Sequence, residues 1–559
     1  MKIRFQIILL LVVLSFAINV VSQEVSIPDP GLNAAIRDAL QIPAGPLTAQ
    51  DLLSLTNLYA ENRAVRNLEG IEAAHNLTTL ELGGNQLTNF SFLIGLTHLT
   101  SLWLQHNQLT NLTLPTGLTS LTSLYLERNQ LTSLTLPAGL TNLTSLGLGG
   151  NQFTNFSFLS ELTSLSYLDL SDSQLSNLTL PAGLTNLTSL YLGDNQLTNF
   201  PFLSALTNLT TLYLGYNQLT NLTLPAGLTS LDEIDLGGNQ LTNFSFLSGL
   251  TNLTTLYLGY NQLTSLTLPA GLTSLSEIDL GGNQLTNFSF LSGLTNLTTL
   301  LLDNDNNVYA GFRTNRLTSL TLPAEITSLT TLDLNGNQLT NFSFLSGLTS
   351  LTTLYLSGNG LTSLTLPAGL TNLTALYLGD AQLYSDDNHL TSLTLPTGLT
   401  SLTTLDLERN QLTSLTLPAD LTNLTRLNLG GNGLVSLTLP AGLMSLTDLY
   451  LGGNPLTTFV LPQPLALTSL AATVASLRTQ GVSVYTYPLA VSLVSPQPTL
   501  AGAFEFILTG PPGIYTILGS VDLAAWSELG TLTNTLGTAI FTDSAVKDSL
   551  QNFYKARTP

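Results

Sequence analysis

Leucines recur along most of the chain in two phases. In LTSLYLERNQLTSLTLPAGLTN, residues 121–142, Leu124 and Leu126 alternate with Ser123, Tyr125 and Glu127. That is the period of a short strand with one buried face. Asn129 follows, and Leu131, Leu134, Leu136 and Leu140 line a return path. The block then repeats. Aligned on the asparagine of L-x-x-L-x-L-x-x-N-x-L, the series runs Asn62, Asn85, Asn107, Asn129, Asn151, with Ser173 in the next place. It resumes at Asn195, Asn217, Asn239, Asn261, Asn283, Asn315, Asn337, Asn359, Asn388, Asn410, Asn432 and Asn454. Those eighteen copies are nearly all spaced by twenty-two residues.

One copy buries too few leucines to offset the entropy of ordering its backbone, so the copies must stack. Stacked strands form a parallel sheet, and each asparagine amide satisfies backbone groups stranded where the chain bends inward. The return path has two forms, NFSFLSGL (Phe244, Phe246, Leu247, Leu250) and SLTLPAGL (Leu266, Leu268, Pro269, Leu272). The motif and its spacing resemble the leucine-rich-repeat family, and the Phe form resembles the return segment of internalin-type repeats. The resemblance covers about residues 47–465. It implies an α/β solenoid, a leucine-rich-repeat horseshoe with a concave parallel β-sheet and an irregular convex side, and it implies protein recognition or adhesion.

The pattern changes at both ends. Residues 1–22 read as a signal peptide: Lys2 and Arg4 precede the apolar run FQIILLLVVLSFAI, which is too short to anchor in a membrane. Residues 23–60 read as an N-terminal helical cap carrying Leu32, Ile36 and Leu40, ahead of the solenoid at 61–465. Residues 466–488 read as a C-terminal cap, a helix stopped by Gly481 and then a strand. Residues 489–559 read as a small all-β sandwich of short alternating runs split by Gly and Pro. Its GPPGIYTI, DLAAW and FYKA segments resemble the C-terminal β domain of many secreted bacterial proteins. Two insertions, 303–315 and 381–388, break the register.

Composition narrows the function. Charged residues are only 9% and the net charge is −20. Lysine occurs only at Lys2, Lys547 and Lys555, so nucleic acid is excluded as a partner. There are no cysteines, which removes thiol chemistry and disulfides; the lack of flanking cysteine caps suggests a bacterial rather than an animal extracellular protein, and with the leader the chain is read as secreted or at the cell surface. No membrane span is expected in the mature chain, and no cofactor.

Catalytic patterns are missing. The four histidines lie in different repeats, with no HExxH, GxSxG or GxxxxGK. Asp169, Asp235, Asp279, Asp333 and Asp406 recur in equivalent surroundings, so nothing is expected to separate their pKa values into an acid and a base. The chain is read as no enzyme. Asp303, Asp305 and Asn307 match the D-x-D-x-N start of a calcium loop, but Val308 replaces the required glycine and Thr314 the bidentate glutamate, leaving weak metal candidates.

The position four residues before each asparagine carries the remaining signal, because it points outward from the sheet. It holds Trp103, Tyr125, Tyr191, Tyr213, Asp235, Tyr257, Asp279, Tyr355 and Tyr377, joined by Tyr216 and Tyr260 beside glycines. Tyrosine and tryptophan dominate binding hot spots, and aspartates favour a cationic partner. The expected function is an exported binding scaffold that recognises a protein on the concave face. A carbohydrate ligand, or a structural cell-surface role, is the alternative.

Overall fold

The computed structural model describes residues 24–303, 316–379, 387–500, 502–544 and 551–558. The chain divides into two compact units, Met1–Leu253 and Thr254–Pro559. The leader lies outside the described residues, and no helix among those described is long and apolar enough to cross a membrane.

The first unit opens with helix Pro30–Leu40, which buries Leu32 and Ile36 completely. Asp29 caps it by accepting from the Leu32 N–H at 3.0 Å, and its second oxygen accepts from the N–H groups of Arg66 and Asn67 at 2.8 and 3.1 Å. One carboxylate thus ties the helix to the first repeat, and these N–H bonds outweigh the cost of burial to hold its pKa below the usual value. Nine three-residue strands of one sheet follow, from Asn57–Tyr59 to Glu233–Asp235. They pair in parallel with equivalent residues facing each other, as in Leu58↔Leu80 and Leu212↔Ile234. The central leucine or isoleucine of every one is fully buried.

The asparagines do what their recurrence implies. Asn129 donates to the carbonyls of Leu104 and Leu126 at 3.0 and 2.9 Å and accepts from the N–H groups of Asn107 and Leu109 at 2.9 and 3.0 Å. Each amide therefore binds its own repeat and the one before it. Ser173 keeps only a bond to Ser171 and one from its N–H to Asn195. Asn62 does not belong to this column. It is exposed, its N–H bonds Gly83 as the N–H of Gly84 bonds Gln105, and its side chain lies over Gly84. The residue in register with Asn85 is Arg63, because the first interval is twenty-three and not twenty-two.

The two return forms fold differently. NFSFL makes a single 3-10 turn, as at Ser157–Glu161, where Asn155 accepts from the Ser157 N–H at 2.9 Å. SLTLP runs extended and can pair with its neighbour, as Asn111–Thr113 does with Ser133–Thr135. Proline at the end of the second form fixes the backbone and has no N–H to leave unpaired.

The second unit has nine equivalent strands, Thr255–Tyr257 to Asp448–Tyr450. Asn337 reaches the Leu302 carbonyl thirty-five residues back, and Asn388 reaches Leu356 thirty-two back, so both insertions leave the stacking phase intact. A second parallel sheet of Ser436–Thr438, Thr458–Pro462 and Ser483–Tyr487 follows. Helix Ala471–Thr479 lies between its last two strands in sequence, and Gly481 ends that helix at φ +86°. Tyr487 is fully buried and donates to the Leu439 carbonyl at 2.6 Å. Beyond it lie two three-stranded antiparallel sheets, one of Ser492–Pro498, Phe504–Thr509 and Thr538–Asp543, the other of Gly513–Ser520, Ser527–Asn534 and Phe553–Arg557. Phe506, Leu508, Tyr515 and Ile517 form their core.

Candidate recognition face

In the first unit the outward position of successive strands reads Tyr59, Glu81, Trp103, Tyr125, Gly147, Asp169, Tyr191, Tyr213, Asp235, each paired with the next in strict register. These side chains stand off the sheet instead of turning inward. Trp103 and Tyr125 touch with ring centroids 4.0 Å apart. Tyr191 and Tyr213 meet edge-on at 4.6 Å, and Tyr167 joins Tyr191 at 5.2 Å. Gly147 leaves a gap between the two aromatic groups, and the Glu127 carboxylate folds across it, where a Cβ at residue 147 would sit 1.7 Å from Oε1.

The hydrogen bonds fix these rings. Trp103 Nε1 donates to Ser101 Oγ at 2.7 Å, and the Tyr213 hydroxyl donates to Glu233. The aspartates are partly spoken for by their own backbone. Asp169 Oδ1 accepts from the N–H of Ser171 and Asp235 Oδ1 from that of Gly237, both at 2.8 Å, in the turn that an aspartate makes with the residue two ahead. Burial raises the Asp235 and Asp406 carboxyls alike, and it pushes Glu127, an acid outside that column, up to about 7, with Asp169 adding repulsion. The cause is local: Asp235 lies over Gly215 and Glu127 over Gly147, so how far each acid sinks depends on the glycine pattern next to it.

Tyr216 lies one turn further along, 36% exposed, at φ +52°. Its ring rests on Gly238, where an added Cβ would come within 2.5 Å. Tyr260 rests on Gly282 in the second unit in the same way. There the outward positions are Tyr257, Asp279, Leu301, Asp333, Tyr355, Tyr377, Asp406, Asn428 and Tyr450. Tyr355 and Tyr377 stack face to face, 4.7 Å apart and 7° from parallel. Tyr257 donates to Glu277 at 3.4 Å, and Asp279 accepts from the Gly281 N–H. Near the end of this sheet, Asp406, Glu408, Arg409, Arg426 and Asn428 line an open groove of about 580 Å³.

Tyr59, Tyr167, Glu127, Glu233 and Glu277 were not singled out by the sequence. Tyr167, Glu233 and Glu277 stand two residues before a column position and Glu127 two after, so the strand period of two was a sufficient signal. Tyr59 was hidden by the out-of-phase Asn62. Of the metal candidates, Asp305 and Asn307 lie outside the described residues. Asp303 covers Gly281, and among the described residues no group of acids or histidines is placed to hold a metal.

Family comparisons agree with this architecture. Profiles for two-copy leucine-rich repeats match overlapping stretches across residues 75–161 and 163–292 and again at 349–386. The BspA-type leucine-rich-repeat region matches 378–471, and a single leucine-rich repeat matches 325–341. Together they span more than half of the chain, which belongs to the leucine-rich-repeat proteins. Among solved structures it is similar to an internalin (inlF) of Listeria monocytogenes, 32% identical over 58% of this chain and 95% of that one, TM-score 0.49. It is similar also to the functional domain of InlJ from the same species, 20% identical over 86% and 94%, TM-score 0.43. YopM of Yersinia enterocolitica is 24% identical over 81% and 94%, TM-score 0.42. Nothing matches among curated protein sequences.

Proposed function

We propose that the chain is an exported bacterial binding scaffold, without enzymatic activity, that recognises a protein through the outward face of its parallel sheet. The observation that carries the reading is the aromatic run Tyr167, Tyr191 and Tyr213, half-exposed, mutually braced and set beside Asp169, Glu233 and Asp235. Rings already fixed by their neighbours lose little entropy on binding, and the carboxylates favour a partner surface rich in Lys or Arg. Trp103 with Tyr125, and Tyr216 on its glycine, extend the same face.

The test is capture of extracellular proteins on immobilised chain, followed by affinity measurement. Replacing Tyr191 and Tyr213 together by Ala should weaken binding by at least about tenfold. Binding should also fall steeply with salt. A captured partner indifferent to both would overturn the assignment. A second reading has its own support in the coplanar Tyr355–Tyr377 pair, which offers the flat aromatic platform that a sugar ring needs. A glycan array decides it: saturable, salt-insensitive binding to a neutral polysaccharide, lost in Tyr377→Ala, selects carbohydrate.

A further inference from the structure

The last strand of the long sheet, Asp448–Tyr450, is paired on one side only, with Arg426–Asn428. The Asp448 N–H bonds the Thr425 carbonyl and the Tyr450 carbonyl accepts from Leu429, so residues 448 and 450 face the preceding repeat. Backbone direction alternates along a strand, and the N–H and C=O of Leu449 and the N–H of Leu451 therefore point away from the sheet. Among the described residues nothing bonds them. Gly452 shows the same vacancy. A Cβ there would meet nothing within 4 Å, whereas one at Gly430, a repeat earlier, would lie 3.5 Å from the Gly452 carbonyl. Leu449 and Leu451 keep 7% and 8% exposure, while Leu405, Leu407, Leu427 and Leu429 have none.

This edge is not flat against solvent. It forms one wall of a groove of about 600 Å³ whose other wall is helix Ala471–Thr479, through Ala472, Thr473, Ser476 and Leu477. No charged residue lines the groove. The unpaired ladder groups call for an extended backbone, the uncharged walls call for an uncharged segment, and the repeat itself shows what side chains fit. In the earlier copies this surface is covered by a parallel strand with the L-x-L pattern, or I-x-L at Ile234 and Ile278.

We propose that this edge takes up an extended, uncharged, leucine-bearing peptide segment of a partner protein as one further parallel strand, with its backbone on Leu449 and Leu451 and its leucines in the groove. The site adjoins the last outward position, Tyr450, but uses the edge of the strand and not the face of the sheet, and it stands or falls independently of the tyrosine proposal. The probe is a fluorescently tagged, acetylated and amidated peptide of the chain's own strand sequence LTSLYL, residues 187–192. Polarisation with the full chain should show saturable binding. N-methylation of the peptide on one alternating set of amides should weaken it by about tenfold or more, because a ladder bond is lost and the methyl group blocks the approach; the other set should leave affinity unchanged. Ser476→Trp, which fills the groove from an exposed helical position, should abolish binding. The proposal is overturned by absence of saturable binding, by equal effects of the two methylation sets, or by full affinity in S476W.

Discussion

The solenoid repeats and the C-terminal antiparallel sheets are built on opposite principles. In the repeats, each buried leucine meets its own equivalent twenty-two residues away, as Leu102 meets Leu124 and Leu168 meets Leu190. Stability is then close to a sum of near-identical local terms, and damage stays near its source. In the terminal sheets, no residue meets its copy. Among the described residues, Phe506, Leu508, Tyr515 and Ile517 are the fully or nearly fully buried members of their core cluster, packed by partly buried neighbours such as Phe541 and Tyr554. A core that small has no redundancy. What the contrast teaches is that the same number of lost methyl groups should be a dent in one region and a collapse in the other.

The largest expected effect therefore lies in the terminal sheets. Ile517→Ala should cost about 2–5 kcal/mol, enough to unfold them while the repeats stay folded. Limited proteolysis should release a repeat fragment, and calorimetry should lose one transition; a single transition shifted as a whole would break the comparison. Next comes Asn239→Ala in the repeats, which leaves the Leu219 N–H without its partner and takes one bond each from the carbonyls of Leu214, Leu236 and Gly237. The cost should be about 2–4 kcal/mol, with hydrogen-exchange protection lost only in the adjoining repeats. Gly238→Ala should cost about 1–2 kcal/mol, since φ is +64° and the new Cβ would strike Tyr216; Tyr216→Ala should recover the steric part in urea melts.

The smallest effect is electrostatic and sharpens the point about local glycine patterns. Burial holds the Glu127 carboxyl at about 7 against an ordinary 4.5, so folding favours its protonated form. That preference is fully available below pH 4.5, and stability declines as pH rises through the interval up to 7. Glu127→Gln should remove this decline, worth about 1 kcal/mol once partial exposure is allowed for. Parallel urea melts at pH 5 and pH 8 measure it, and identical pH dependence in both proteins would refute the assignment.

Much of the candidate face was legible because a strand's period of two is written in the leucines. Once Leu124 and Leu126 are inside, Tyr125 must be outside, and the twenty-two-residue repeat carries the same statement from copy to copy. The sequence did not disclose which outward residues touch. Tyr167 joins the aromatic run only because residue 191 leans toward it across one strand spacing. The Tyr216 ring finds its seat because residue 238 has no side chain. The phase error at Asn62 has the same origin: a motif match counts letters, whereas the hydrogen bond from the Asn62 N–H to Gly83 shows which backbone group it replaces.

By itself the sequence determined the strand, the turn at asparagine, the stacking and the outward column, since each follows from burying apolar surface with a fixed short period. Only the tertiary structure decided the depth of the acids, the contacts among the rings and the unpaired edge at Leu449. Those depend on distances between residues twenty or more apart and on where the stack stops, and no local pattern encodes either.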